Sequence, residues 1–327
     1  MNSFNDVIGH KDIISHMKNA YTMGKVSHAY ILEGDEGMGK KLLTNCFVKL
    51  LQCENPIGTS PCGSCSSCVQ IDSNNHPDII YVKPSKISGY GVDDVRTQIV
   101  KDINIKPYQS KYKIYIIDEA DKMNVQAQNS ILKTIEDPPS YGLFFLLATN
   151  SQKFLQTVLS RAVKMNLKPV SIKHIERYLL KEWGVSTTQA KVFSSFSRGN
   201  LGKALKLQGS ESFTNNREEM VKLLDIFING KEYDIMDAVK LLENHKEDIN
   251  EILEILISLI RDILFYKETL SNEGIIHQDI EVRIVKLSQN VKPIKLVRLV
   301  QNIYELTSQL RLNVNYSPSI LTMLTNV

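Results

Sequence analysis

The sequence has little aromatic content. Trp183 is its only tryptophan, and Phe, Tyr and Trp together make up 7% of the residues. It has no apolar run near the roughly 18 residues that a membrane-spanning helix needs, so no such helix is expected. The first residues, Met1-Asn2-Ser3-Phe4-Asn5-Asp6, lack a basic stretch followed by an apolar core. No signal peptide is expected there, and a cytoplasmic location follows. Five cysteines in such a compartment read as metal ligands or free thiols rather than disulfides. Neither sign of charge dominates: 39 Lys and Arg face 36 Asp and Glu, a net +3. That balance lacks the concentrated basic stripe of a dedicated nucleic-acid binder. Internal repeats and low-complexity tracts are also missing.

What is present is an ordinary globular chain. Its 327 residues are 43% hydrophobic, enough for two or three packed domains. Apolar runs at 28–33, 78–82, 113–118, 143–149 and 163–167 read as strands buried on both faces. Helical patterns lie between them at 39–51, 92–103 and 125–135, with another at 11–23 before the first strand. The alternation predicts a parallel α/β sheet. After Lys168-Pro169 the strand signal stops. Helices are predicted from Ser171 to about Trp183, at 187–196 and at 201–207, then a polar linker at 208–216. Beyond it, Ile249, Ile252, Leu253, Leu256, Ile257, Ile260 and Ile263 recur at helical spacing, as do Leu296, Val300, Ile303, Leu306 and Leu310. The expected division is an α/β nucleotide-fold domain over 1–168, a small helical lid over 169–208 and an all-α domain over 209–327.

Gly34-Asp35-Glu36-Gly37-Met38-Gly39-Lys40-Lys41 follows the first strand and opens a helix, the context of a P-loop. Its glycines let backbone N–H groups curl around an anion at a helix N-terminus, and Lys40 would reach the β- and γ-phosphates. The eighth position calls for a Ser or Thr hydroxyl to bind Mg²⁺. Lys41 stands there instead, and an ammonium has no lone pair to give a metal. Nucleotide hydrolysis is therefore not expected from this loop. Without a ligand, the same run is a Gly-rich strand-to-helix turn.

Ile114-Tyr115-Ile116-Ile117 ends in Asp118 and Glu119, at the strand's C-terminal end, where ligands of parallel sheets bind. Asp118 could hold a metal and Glu119 could orient water; alone, the pair is equally an acidic helix start. Thr149 and Asn150 end the next strand, placed to touch a γ-phosphate or simply to terminate the strand. Arg161 precedes the last strand and in isolation is a solvated charge.

Cys53, Cys62, Cys65 and Cys68 span a stretch whose turns come from Pro56, Gly58, Pro61 and Gly63. Four thiolates at this spacing suit one tetrahedral Zn²⁺ in a closed, structural site. Redox cysteines, an iron–sulfur cluster and free thiols are the alternatives. Cys46, inside the predicted helix, reads as a small core residue.

Taken together these residues resemble the AAA+ clamp-loader family of bacterial DNA polymerase III. The resemblance runs from Phe4-Asn5-Asp6-Val7-Ile8-Gly9-His10 and His28-Ala29-Tyr30, through the P-loop and the four-cysteine insert. It continues through Asp118-Glu119-Ala120-Asp121 and the run from Ala127-Gln128-Asn129-Ser130 to Glu136-Asp137-Pro138-Pro139. Ser160-Arg161-Ala162 matches the family's Ser-Arg-Cys except at its third residue, and Asn313-Val314-Asn315 looks like the close of the family's collar domain. The resemblance implies an AAA+ domain with a zinc insert, a lid and a collar. It implies a five-subunit ring with ATPase subunits of the gamma/tau type and a delta subunit, which loads a sliding clamp on primed DNA. It makes Arg161 an arginine finger acting in trans on a neighbour's ATP, and Gly34, Gly37, Gly39, Lys40, Lys41, Asp118, Glu119, Thr149 and Asn150 a degenerate nucleotide site. Gly202, in Gly199-Asn200-Leu201-Gly202-Lys203, stands where ATPase members carry the sensor-2 Arg. With Lys41, this implies a non-hydrolysing stator within the polymerase III holoenzyme; the alternative is an ATP-hydrolysing subunit. The short stretch after Asn315 lacks the long extension of the tau type. Arg96 and Lys101, after Gly91, are the candidate DNA contacts, against the plainer reading of a solvated helix face.

Overall fold

The computed structural model describes residues 3–230, 234–310 and 315–326. The expected collar terminus at 313–315 thus lies outside the described residues except for Asn315. Two compact units form, Met1–His174 with Gly199–Gly202, and Ile175–Arg198 with Lys203–Val327.

The first unit is built on strands β1 (Ala29–Glu33), β2 (Ile79–Val82), β3 (Lys113–Ile117), β4 (Gly142–Ala148) and β5 (Val163–Asn166). They form one parallel sheet in the order β2-β3-β4-β1-β5. The runs of Ile, Leu, Phe and Tyr in β1, β3 and β4 are buried because helices cover both faces. Alternate residues divide between two cores. Tyr30, Leu32, Ile114, Ile116, Phe145 and Leu147 share one with Leu43, Phe47 and Leu50 of α2 (Lys40–Gln52) and Met17 of α1 (Lys11–Thr22). Ala29, Ile31, Tyr115, Ile117, Phe144 and Leu146 share the other with α4 (Val92–Val95), α5 (Val125–Glu136) and α6 (Gln156–Leu159). Tyr30 stacks on Phe145 and Tyr115 on Phe144, each with ring centroids 5.3 Å apart.

Three local details differ from the sequence expectation. β5 is at the sheet edge and buries only Met165 fully, so it is not the two-faced strand that its neighbours are. The helix expected over 92–103 is α-helical only in α4 and continues as a π-helical turn, Arg96–Val100. A short helix α3 (Ser66–Asp72) lies inside the cysteine stretch.

The second unit is helical. It contains most of α7 (Ile172–Trp183), then α8 (Thr187–Phe196), most of α9 (Leu201–Gln208), α10 (Glu211–Asn229), α11 (Ile235–Glu243) and α12 (Ile249–Thr269). It ends with α13 (Glu281–Gln289), α14 (Pro293–Leu310) and α15 (Tyr316–Thr325). The linker expected at 208–216 is corrected to the two residues between α9 and α10. Ser210 caps α10 by accepting the Phe213 N–H, and Phe213 is buried against Phe193 and Phe196. One capping hydroxyl and one buried ring outweigh the polar composition around them. Among the described residues, no helix is long and apolar enough to cross a membrane.

Candidate nucleotide and metal sites

The loop after β1 turns sharply because Gly37 and Gly39 take φ of 85° and 90°, conformations that a side chain would strain. Gly39 is the N-cap of α2, so the helix N-terminus faces the loop. A cavity of about 480 Å³ opens above it, lined by Glu36, Gly37, Gly39, Lys40, Lys41, Leu42, Asp118, Glu119, Leu147, Ala148 and Thr149. The fold thus gathers seven of the nine expected nucleotide-site residues around one space. Gly34 lies beneath it, its N–H donating to Ala148 O at 3.1 Å. Asn150 turns away: its side chain accepts the Gln152 N–H and caps the turn Ser151–Lys153.

Charges within the cavity are largely occupied by the protein itself. Lys40 Nζ donates to Gly34 O at 2.5 Å and Asp35 O at 3.1 Å. Burial lowers its pKa, against the opposing pull of Asp118 and Asp121. Lys41 Nζ lies 3.8 Å from Asp118 Oδ2, so an ammonium pairs with the carboxylate that a metal would need. Glu119 adopts a left-handed backbone, φ 48°, and pairs with Lys122 at 2.8 Å. Sparse conformations of this kind cluster at functional sites.

Three contributors had no role in the sequence reading. Asp121, almost fully buried, accepts from the Thr149 N–H and hydroxyl and from Lys153. Burial pushes its carboxyl up, but these donors outweigh burial and leave it below the ordinary carboxylate range. His10 bonds Met38 O through Nε2 at 3.1 Å, and Asn200 Nδ2 donates to Glu36 O at 2.6 Å. The burial of Asp121 and the long-range partners of His10 and Asn200 are tertiary properties with no local signal. Gly202 also meets the loop. Its N–H donates to Gly37 O at 3.0 Å, and a Cβ there would stand 2.6 Å from Gly37 Cα. No side chain fits at 202, arginine included.

The cysteine stretch forms a second site. The Sγ atoms of Cys53, Cys62, Cys65 and Cys68 all lie within 4.8 Å of one another, and all are free thiols. A zinc–thiolate tetrahedron with bonds of about 2.3 Å has edges of about 3.8 Å. Cys62 and Cys68 are 4.0 Å apart. The N–H groups of Cys62, Cys65 and Cys68 point at Sγ of Cys53, Cys62 and Cys65 in turn. Such donors stabilise thiolates: the amides of Ser64 and Cys65 hold Cys62 at about 6. The donor set therefore fits one zinc ion. Behind it, buried Ser67 bonds His76 Nε2 at 3.1 Å, and His76 Nδ1 accepts the Asp78 N–H. Asp78 in turn takes the N–H groups of Tyr108, Gln109 and Ser110, which ties the insert to the segment before β3.

Arg161 lies outside the P-loop cavity, between α6 and β5. Its NH2 pairs with Glu136 Oε1 at 2.8 Å and its NH1 donates to Thr157 O at 3.0 Å and Ser160 Oγ at 3.2 Å. Arg96 and Lys101 are both exposed. Cys46 is fully buried, and burial raises its thiol to about 12, in keeping with a core residue.

Comparison with known proteins places this architecture. The family "DNA polymerase III, delta subunit" matches residues 9–171, and "DNA polymerase III, delta subunit, C terminal" matches residues 211–326. The gamma subunit of DNA polymerase III from Buchnera aphidicola subsp. Baizongia pistaciae is 35% identical over 173 residues, 53% of this chain and 46% of that protein. The Bacillus subtilis delta' subunit is 29% identical over 273 residues, 82% of this chain and 80% of that one. A gamma subunit-related protein from Thermotoga maritima is similar in structure at 17% identity and a TM-score of 0.45, covering 96% of this chain and 97% of that one. The chain spans 32% to 56% of the first gamma and tau relatives it matches. With its parallel α/β sheet, its P-loop and its helical C-terminal region, the chain belongs to the clamp-loader family of DNA polymerase III.

Proposed function

We propose that this chain is a delta-prime-type stator of the clamp loader, a subunit that turns over no ATP itself and lends Arg161 to a neighbour. The observation that carries this reading is Lys41, whose ammonium pairs with Asp118 where a hydroxyl and Mg²⁺ would otherwise meet. Gly202 supports it, because the packing against Gly37 leaves no room for a sensor-2 Arg. In this reading the chain takes the three-part division 1–168, 169–208 and 209–327, with the last part as collar. It works in the cytoplasm in a hetero-pentamer with gamma/tau-type ATPase subunits and a delta subunit, and the assembly opens a sliding clamp for primed DNA. Cys53, Cys62, Cys65 and Cys68 hold a structural zinc whose chemistry is to cross-link the insert. Asp118, Glu119 and Thr149 are retained as scaffold.

The identity to gamma subunits favours a second reading, a hydrolysing subunit of the same family. Mg-ATP turnover by the purified full chain separates the two. The stator reading expects none above background; turnover abolished by Lys40→Ala would establish the second.

A further inference from the structure

Arg161 is half-exposed, yet its side chain is already organised. Short α6 ends at Leu159, Ser160 caps it, and β5 begins at Val163 in register with Tyr30 of β1. The backbone on both sides of Arg161 is therefore tied to the sheet. The guanidinium then uses three donors within its own chain: one to Glu136 Oε1, one to Thr157 O and one to Ser160 Oγ. A guanidinium has five N–H groups, so two remain for an incoming oxyanion.

The contact with Glu136 is made through one oxygen only. A carboxylate bound bidentately would take a fourth N–H group and leave only one for phosphate. This one steadies the side chain and leaves the rest of the fork free. It comes from a fixed point, since Glu136 ends α5 and is followed by Asp137-Pro138-Pro139, where two prolines limit the backbone. An arginine held in advance gives up less rotamer freedom when it meets its ligand.

We infer that Glu136 is a positioning residue for Arg161, holding its guanidinium in the pose from which it reaches a neighbouring subunit's phosphate. The inference rests on the reading of Arg161 as a finger in trans, and its test separates the two. The complex is reconstituted with full-length partner ATPase subunits in which every site except the one beside this chain is silenced, so that turnover reports that site. Glu136→Ala lowers kcat about fivefold with KM for ATP unchanged, the scale of one partly exposed ion pair. Glu136→Gln keeps an acceptor oxygen and recovers most of the rate. The double variant Glu136→Ala with Arg161→Ala is no slower than Arg161→Ala alone, because both substitutions remove one function. A Glu136→Ala complex that assembles and turns over at the full rate overturns the inference while leaving the finger reading intact. So does a double variant slower than Arg161→Ala by the same factor of about five. An Arg161→Ala complex at full rate overturns both.

Discussion

The P-loop and the cysteine insert are two candidate ligand sites of one unit, and they differ in how complete their donor sets are. The insert has its whole donor set: four thiols within 4.8 Å, with backbone amides aimed at three of them. The P-loop has the strand, the turn, the helix and the cavity, but at the metal's position it has Lys41 against Asp118. In the proposed reading one side chain, Lys41, keeps the loop from serving Mg-nucleotide, whereas the insert would use all four cysteines on one zinc. A metal that staples a fold is under a different demand from one that takes part in a reaction.

The largest expected effect breaks the insert. Cys68→Ser removes a buried ligand and leaves three, so metal analysis of the purified chain falls from about one zinc to near zero. Thermal unfolding of the first unit drops with it. A variant that keeps its full zinc content and melting temperature would show that the two sites do not differ in this way. A smaller effect sharpens the P-loop side. Gly202→Arg must displace the Gly37 backbone, because a Cβ would stand 2.6 Å from Gly37 Cα. That overpacking costs about 1–3 kcal/mol and lowers the melting temperature by a few degrees. An unchanged melting curve would mean that the segment 199–202 and the loop are not packed as described.

Both sites were legible in the sequence for the same reason. The P-loop and the cysteines are short-range patterns, with spacing and chemistry in one stretch of chain. Strands β1, β3 and β4 were readable because they are buried on both faces and so are apolar throughout. Features made by distant partners were not readable. Asp121 looks like any surface acid until Thr149 and Lys153 are brought to it. The same is true of α12, whose apolar repeat predicts the helix but not the buried Asp262 on it. That carboxylate accepts the N–H groups of Ile276 and His277, while Ser258 bonds His277 Nε2. Burial, and then the charges of Arg217 and Arg261, push His277 down to about 3, so it is a neutral core group. At 211–216 composition misled, because the Ser210 cap and buried Phe213 decide the helix.

The most direct test is steady-state ATP hydrolysis by a reconstituted complex in which only the site beside this chain is active, with and without Arg161→Ala. The account predicts intact assembly and a fall of about 10³-fold or more, the loss typical of a missing arginine finger. Turnover at the unsubstituted rate would contradict it.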